Sequence, residues 1–132
     1  MTYLLDTNIC IYAIKQLPGV IARIRSQPRV EVLLSAITEA ELRAGAAKSS
    51  SPARALRVLE DFLAPFNVLE FGSTEAVTYG HLRAKLERAG TPIGPLDTLL
   101  AAHAIARELT LVTNNEREFR RVGGLRVENW AT

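Results

Sequence analysis

Cysteine is almost absent from this chain. The single one, Cys10, has no partner for an internal disulfide, and its apolar neighbours Ile9 and Ile11 suit a small buried hydrophobe. A chain of 132 residues also buries enough surface to fold without a covalent or metal staple. No export signal opens the sequence, and no apolar run reaches the roughly 18 residues of a membrane span. These absences suit a reducing compartment, and the expectation is a cytoplasmic protein with no membrane association. Only two histidines are present, His81 and His103, at no zinc-binding spacing. No glycine-rich phosphate loop of the Walker or dinucleotide type occurs, and no Gly-x-Ser-x-Gly elbow. Aromatics are also scarce, at one tryptophan, three tyrosines and four phenylalanines. Thiol, zinc, nucleotide-fold and serine-hydrolase chemistry are therefore set aside.

What remains is an ordinary globular composition, 48% hydrophobic and 23% charged, with a net charge of +2 and a pI near 9.0. Such a balance hints only weakly at nucleic acid. Its distribution says more, because a cluster of acids at one site leaves the rest of the surface arginine-rich and positive. Arg43, Arg83 and Lys85 are candidate phosphate contacts, each equally at home on a solvated helix face.

Short apolar runs predict strands at Thr2–Leu5, Val32–Ser35, Val68–Phe71, Leu109–Thr113 and Leu125–Val127. The first, second and fourth lack alternation, as strands covered on both faces do. Between them lie helices with readable punctuation. Ser51-Pro52 opens Ala53–Leu63. Ser73 opens a long helix to Arg88, stopped by Gly90. Gly94-Pro95 opens another, from Leu96 to about Glu108, and Gly123-Gly124 turns the chain before the last strand. Alternating strands and helices predict an α/β fold, a three-layer α/β/α sandwich around a mostly parallel sheet of four to five strands. No linker divides residues 1–132 into more than one domain.

The acids fall at telling places. Asp6 directly follows the first strand, Glu41 lies on the helix after the second, Asp97 opens the helix before the fourth, and Glu118 follows the fourth. In a parallel sheet these junctions converge at the carboxyl ends of the strands, where open α/β folds bind ligands. Each position also has a plain structural reading. Asp6 suits a helix N-cap. Thr38 and Glu41 match a capping box. Asp97 suits the positive end of a helix dipole. Glu116 competes with Glu118. Together, however, several carboxylates in one crevice repel unless a cation joins them, and oxygen ligands without Cys or His favour Mg²⁺ or Mn²⁺. Asn8, Ser35, Thr113 and Asn115 are candidate hydrogen-bonding groups behind that site.

Four segments carry a resemblance. Leu4-Leu5-Asp6-Thr7-Asn8, Ser35 to Gly45, Ile93 to Ala104 and Leu111 to Phe119 resemble, in that order, the motifs of PIN-domain ribonucleases, most closely the VapC toxins of type II toxin–antitoxin systems. The likeness runs to the tail Asn129-Trp130. It implies Asp6, Glu41 and Asp97 as acidic metal-site residues and favours Glu118 as the last acid, although many relatives carry aspartate where Asn115 stands. Asp6 and Asp97 are expected to hold the ion directly, and Glu41 and Glu118 directly or through water. It further implies a Mg²⁺ cofactor that Mn²⁺ can replace, a homodimer, and a VapB antitoxin whose tail covers the active groove and whose N-terminal part binds operator DNA. The implied substrate is RNA, with tRNA, including initiator tRNA, cut by similar relatives. Two other readings compete with the nuclease. One is a non-catalytic co-repressor acting with its antitoxin. The other is an aspartyl-phosphate phosphatase, which calls for a second aspartate where Asn8 stands.

Overall fold

The structure, a computed structural model, describes residues 1–131. Five short strands form one sheet: β1 Tyr3–Leu5, β2 Val32–Ser35, β3 Asn67–Leu69, β4 Thr110–Val112 and β5 Arg126–Glu128. Every pairing is parallel, and the order is β3-β2-β1-β4-β5. The expected architecture is borne out, with all five strands present and most trimmed or displaced by a residue or two.

Side-chain alternation along these strands builds two cores. Tyr3, Leu5, Val32 and Leu34 face one side and pack under α1 (Thr7–Ile14), α2 (Pro18–Arg25), α3 (Ala36–Ala47) and α4 (Pro52–Leu63). Leu4, Leu33 and Leu111 face the other, under α5 (Ser73–Arg88), α6 (Pro95–Ala106) and the short α7 (Glu116–Phe119). Burying both faces is what permits strands without an outward polar side. Trp130 closes the first core edge-on to Tyr3, 4.9 Å between ring centroids, while its Nε1 donates to Glu128 at 3.0 Å. Cys10 is free and fully buried there, and burial pushes its thiol up, as does the nearby Asp6 charge.

Connectivity positions the site. From β1 the chain steps to β2 and then to β3 on one side of the sheet. It then crosses through α5 and α6 to β4, on the other side of β1. Strand order therefore reverses at β1, and a crevice opens beyond the carboxyl ends of β1 and β4.

One local expectation needs correcting. The capping box at Thr38 and Glu41 does not form: α3 starts directly from β2, its N-cap is Ser35, and the Ser35 hydroxyl accepts from the Ile37 amide at 3.0 Å. Thr38 is instead buried within the helix. With no loop between strand and helix, the hydroxyl on the strand's last residue takes the cap. The long helix opened by Ser73 runs to Arg88 as expected, and the Gly72 amide ahead of it donates to Glu75 at 2.9 Å.

Candidate active site

Asp6 leaves β1 and becomes the N-cap of α1. Its Oδ1 accepts from the Ile9 amide at 2.9 Å, and its Oδ2 accepts from the Thr113 hydroxyl at the end of β4. The Asp6 amide in turn donates to the Val112 carbonyl at 2.9 Å. Thr113 is tied down as well, its Oγ1 accepting from the Asn115 amide at 2.9 Å. The carboxyl is 4% exposed. Burial pushes its pKa up and Glu41 adds to that, against the lowering by Thr113 and the Ile9 and Asn8 amides. With both oxygens engaged, Asp6 is poorly placed as a free nucleophile.

Glu41 reaches the same crevice from α3, where its Oε1 accepts from Thr7 Oγ1 at 2.7 Å. Asp97, in the first turn of α6, completes the walls. Asp6, Thr7, Asn8, Ile11, Glu41, Asp97 and Leu100 line a cleft of about 290 Å³.

Glu118 comes to Asp97 from α7. Its Oε1 accepts from the Gly94 amide at 2.8 Å and its Oε2 accepts from Asn115 Nδ2. Gly94 is the N-cap of α6, and a Cβ there would lie 3.4 Å from Asp97 Oδ2 and 3.7 Å from Glu118 Oε1. A side chain at this position would therefore pack directly against both acids. Burial pushes the Asp97 carboxyl up to about 7, helped by Glu118, Asp6 and Glu41. Burial also raises Glu118, but the Gly94 amide, Asp97, Asn115 and Arg121 outweigh it and hold Glu118 below the ordinary value. Asp97 therefore ionises at higher pH than Glu118, and the two carboxyls titrate as a pair. Glu116 turns elsewhere, accepting from Asn129 at 3.1 Å and pairing with Arg120.

The donor set fits a hard divalent cation, being made of carboxylate oxygens, among which Asp6 and Asp97 have their pKa raised by burial and by their acidic neighbours. Among the described residues no three acidic, histidine or cysteine side chains converge on a single ion position. A cation held by one or two carboxylates, with water filling the rest of its shell, is the pattern Mg²⁺ prefers.

Of the four candidate supporting groups, Thr113 bonds Asp6 and Asn115 bonds Glu118. Asn8 is exposed on the cleft wall. Ser35 has other partners, the Ile37 amide and His103 Nδ1 at 2.8 Å. Thr7 and Gly94 were missed. The only hint of Thr7 was a hydroxyl next to a strand-end acid, and its partner lies 34 positions away. Arg43 is paired with Glu39 and Glu60 at 2.8 and 2.7 Å, and Arg83 with Glu87 at 3.1 Å. Exposed pairs of this kind are weak enough to yield to a phosphate.

Comparison with known proteins settles the family. The PIN domain model matches residues 3–125. The chain belongs to the PIN-domain family. Within it the relatives are VapC ribonucleases. The chain is 44% identical to the tRNA(fMet)-specific endonuclease VapC of Shigella flexneri, over 99% of both chains. It is 45% identical to ribonuclease VapC2 of Haemophilus influenzae, over 98% of both. The fold of this PIN domain superposes on the DNA-bound VapBC complex of Salmonella typhimurium with a TM-score of 0.94, at 42% identity and 98% coverage of each chain.

Proposed function

We propose that this PIN domain, spanning residues 1–132, is the toxin of a VapBC pair, an endoribonuclease that hydrolyses tRNA with Mg²⁺, or Mn²⁺ in its place. The carrying observation is the cleft at the β1/β4 switch point, where Asp6, Glu41 and Asp97 line the walls and Glu118 comes to the Gly94 turn beside Asp97. The names of the relatives supply the substrate class, and initiator tRNA is the first choice because one of them is named for tRNA(fMet).

Asp6 and Asp97 would hold the ion directly, and Glu41 and Glu118 through water. A bound divalent ion supplies Lewis-acid stabilisation of the charge that builds on the phosphate and lowers the pKa of an attacking water. The protein's part is positional. Thr113 and the α1 N-terminus fix both oxygens of Asp6, and Thr7 aims Glu41. The ionised form of Asp97 would be favoured by a cation bound there, against the burial that raises its pKa. Asn8, on the cleft wall, is placed to hydrogen-bond the scissile phosphate.

An apolar groove of about 510 Å³ opens off the cleft between α1, α3 and α4, with Ile11 and Glu41 in both walls. It offers a VapB antitoxin tail a seat that closes the site, and operator DNA is reached only through that antitoxin. Val77, 62% exposed on α5, suits a homodimer face. No helix among the described residues is long and apolar enough to cross a membrane, in keeping with work on tRNA in the cytoplasm.

The test is cleavage of labelled total tRNA by antitoxin-free protein with Mg²⁺, with Mn²⁺ and with EDTA. Discrete metal-dependent products, lost in folded Asp6→Asn and Asp97→Asn, are expected. Cutting that survives EDTA or both substitutions contradicts the proposal. A protein that binds antitoxin and operator yet cuts no RNA is a co-repressor.

A further inference from the structure

A buried polar cluster lies behind the cleft, and nothing in the hydrolytic mechanism uses it. His103 is fully buried on α6 among Leu100, Ala101, Ala102 and Ala104. An imidazole in such surroundings gives up its water, and costs stability unless its nitrogens are engaged. Nδ1 is engaged, 2.8 Å from Ser35 Oγ. Nε2 has no hydrogen-bond partner in the structure. Phe71 meets the ring edge-on at 5.5 Å. Glu75 is close enough for its charge to act on the imidazole. Glu75 is itself buried and anchored, by the Gly72 amide at 2.9 Å and by Arg107 at 3.5 Å.

Ser35 is as deeply buried as His103, and the same Oγ caps α3. The hydrogen bond therefore joins the start of α3 to the later half of α6. These are the helices that carry Glu41 and Asp97. Ser35 precedes Glu41, and His103 follows Asp97, by the same interval of six residues, about 9 Å of helix in each case. Among the described residues no other side-chain hydrogen bond links these two helices, and the charges of Glu41 and Asp97 repel across them. Packed apolar surfaces slide by fractions of an ångström at little cost, whereas a hydrogen bond has a defined length and direction.

The geometry points to His103 as a positioning residue, whose bond to Ser35 sets the separation of Glu41 from Asp97 and thereby the metal affinity and cutting rate of the cleft. A misplacement of about 1 Å is enough to cost two orders of magnitude in a catalytic site, and loss of a group that orients a ligand typically costs tenfold or more. This inference rests on the metal-dependent reading above.

The test compares Mn²⁺ titration calorimetry, tRNA cleavage and thermal melting for wild type, His103→Leu, His103→Asn and Asp97→Asn. Leu keeps the bulk and removes the bond; Asn returns an amide to the position of Nδ1. Both His103 variants are expected to melt below wild type. His103→Leu is expected to weaken Mn²⁺ binding and slow cleavage by about tenfold, with His103→Asn recovering to within about twofold despite its lower melting temperature. Ser35→Gly, which removes the hydroxyl while keeping an acceptable cap, should reproduce the Leu result and replaces it if that variant does not fold. Wild-type affinity and rate in His103→Leu, beside an inactive Asp97→Asn, overturn the positioning role alone. Equal losses in the Leu and Asn variants, tracking their melting temperatures, overturn it too. An Asp97→Asn variant that binds and cuts like wild type overturns the underlying metal-site reading.

Discussion

Asp6 and Asp97 face the same cleft from opposite sides and are held in opposite ways. Asp6 is buried, and both its oxygens accept hydrogen bonds, from a helix N-terminus and from Thr113 on the neighbouring strand. Asp97 is partly exposed and lies beside another acid, Glu118. One carboxylate is preorganised by the fold; the other is pushed up to about 7, first by its burial and then by its acidic neighbours. On the proposed reading, Asp6 serves the fold as well as the chemistry, while Asp97 serves the chemistry at the fold's expense.

The largest expected effect removes the chemistry on both sides. Asp6→Asn and Asp97→Asn should each lower tRNA cleavage by at least about a hundredfold, measured as initial rate at saturating Mg²⁺. The comparison sharpens with alanine. Asp6→Ala should lose about 1–2 kcal/mol with its cap, whereas Asp97→Ala should unfold at equal or higher denaturant than wild type. A stabilised Asp6→Ala would break the distinction.

Next comes pH. In EDTA, the raised Asp97 carboxyl binds its proton more tightly folded than unfolded, so its contribution to stability grows as pH falls from 8 through about 7. Burial lowers the pKa of His103, so acidification below its unfolded value of 6.5 works the other way. The melting temperature of metal-free protein should therefore rise between pH 8 and 6.5, and that rise should vanish in Asp97→Asn. Saturating Mn²⁺ should reverse the slope by favouring the ionised carboxylate.

Smaller effects separate partners from ligands. Glu118→Gln keeps an acceptor for the Gly94 amide but removes the charge beside Asp97, so cleavage should fall only about tenfold while Asp97 ionises more readily. Thr7→Val breaks the 2.7 Å bond to Glu41 and should cost about 1 kcal/mol in the barrier, a few-fold in rate.

Which of this was legible follows from what the signals measure. Strand runs and the Gly94-Pro95 and Gly90 punctuation report local backbone preference, and the structure follows them to within a residue or two. Helix α2 was not among the expected elements; it begins with Pro18 at its first position and turns Val20 into the core. The capping box failed for a local reason: Thr38 and Glu41 have the right spacing, but Ser35 reaches the free amides first. The acids were visible as strand-end residues, and their motif order carried the family. Their supports were not visible. Thr7 with Glu41, Gly94 with Glu118 and Ser35 with His103 are 34, 24 and 68 positions apart, and only the fold brings them together.

The most direct test of the two-sided site is calorimetric titration of Mn²⁺ into wild type, Asp6→Asn and Asp97→Asn at pH 8. The account predicts binding in wild type that weakens by at least about tenfold in each variant, the Asp97→Asn variant losing it without any loss of melting temperature. Undiminished binding in Asp97→Asn would place the ion elsewhere and contradict a cleft built from both sides.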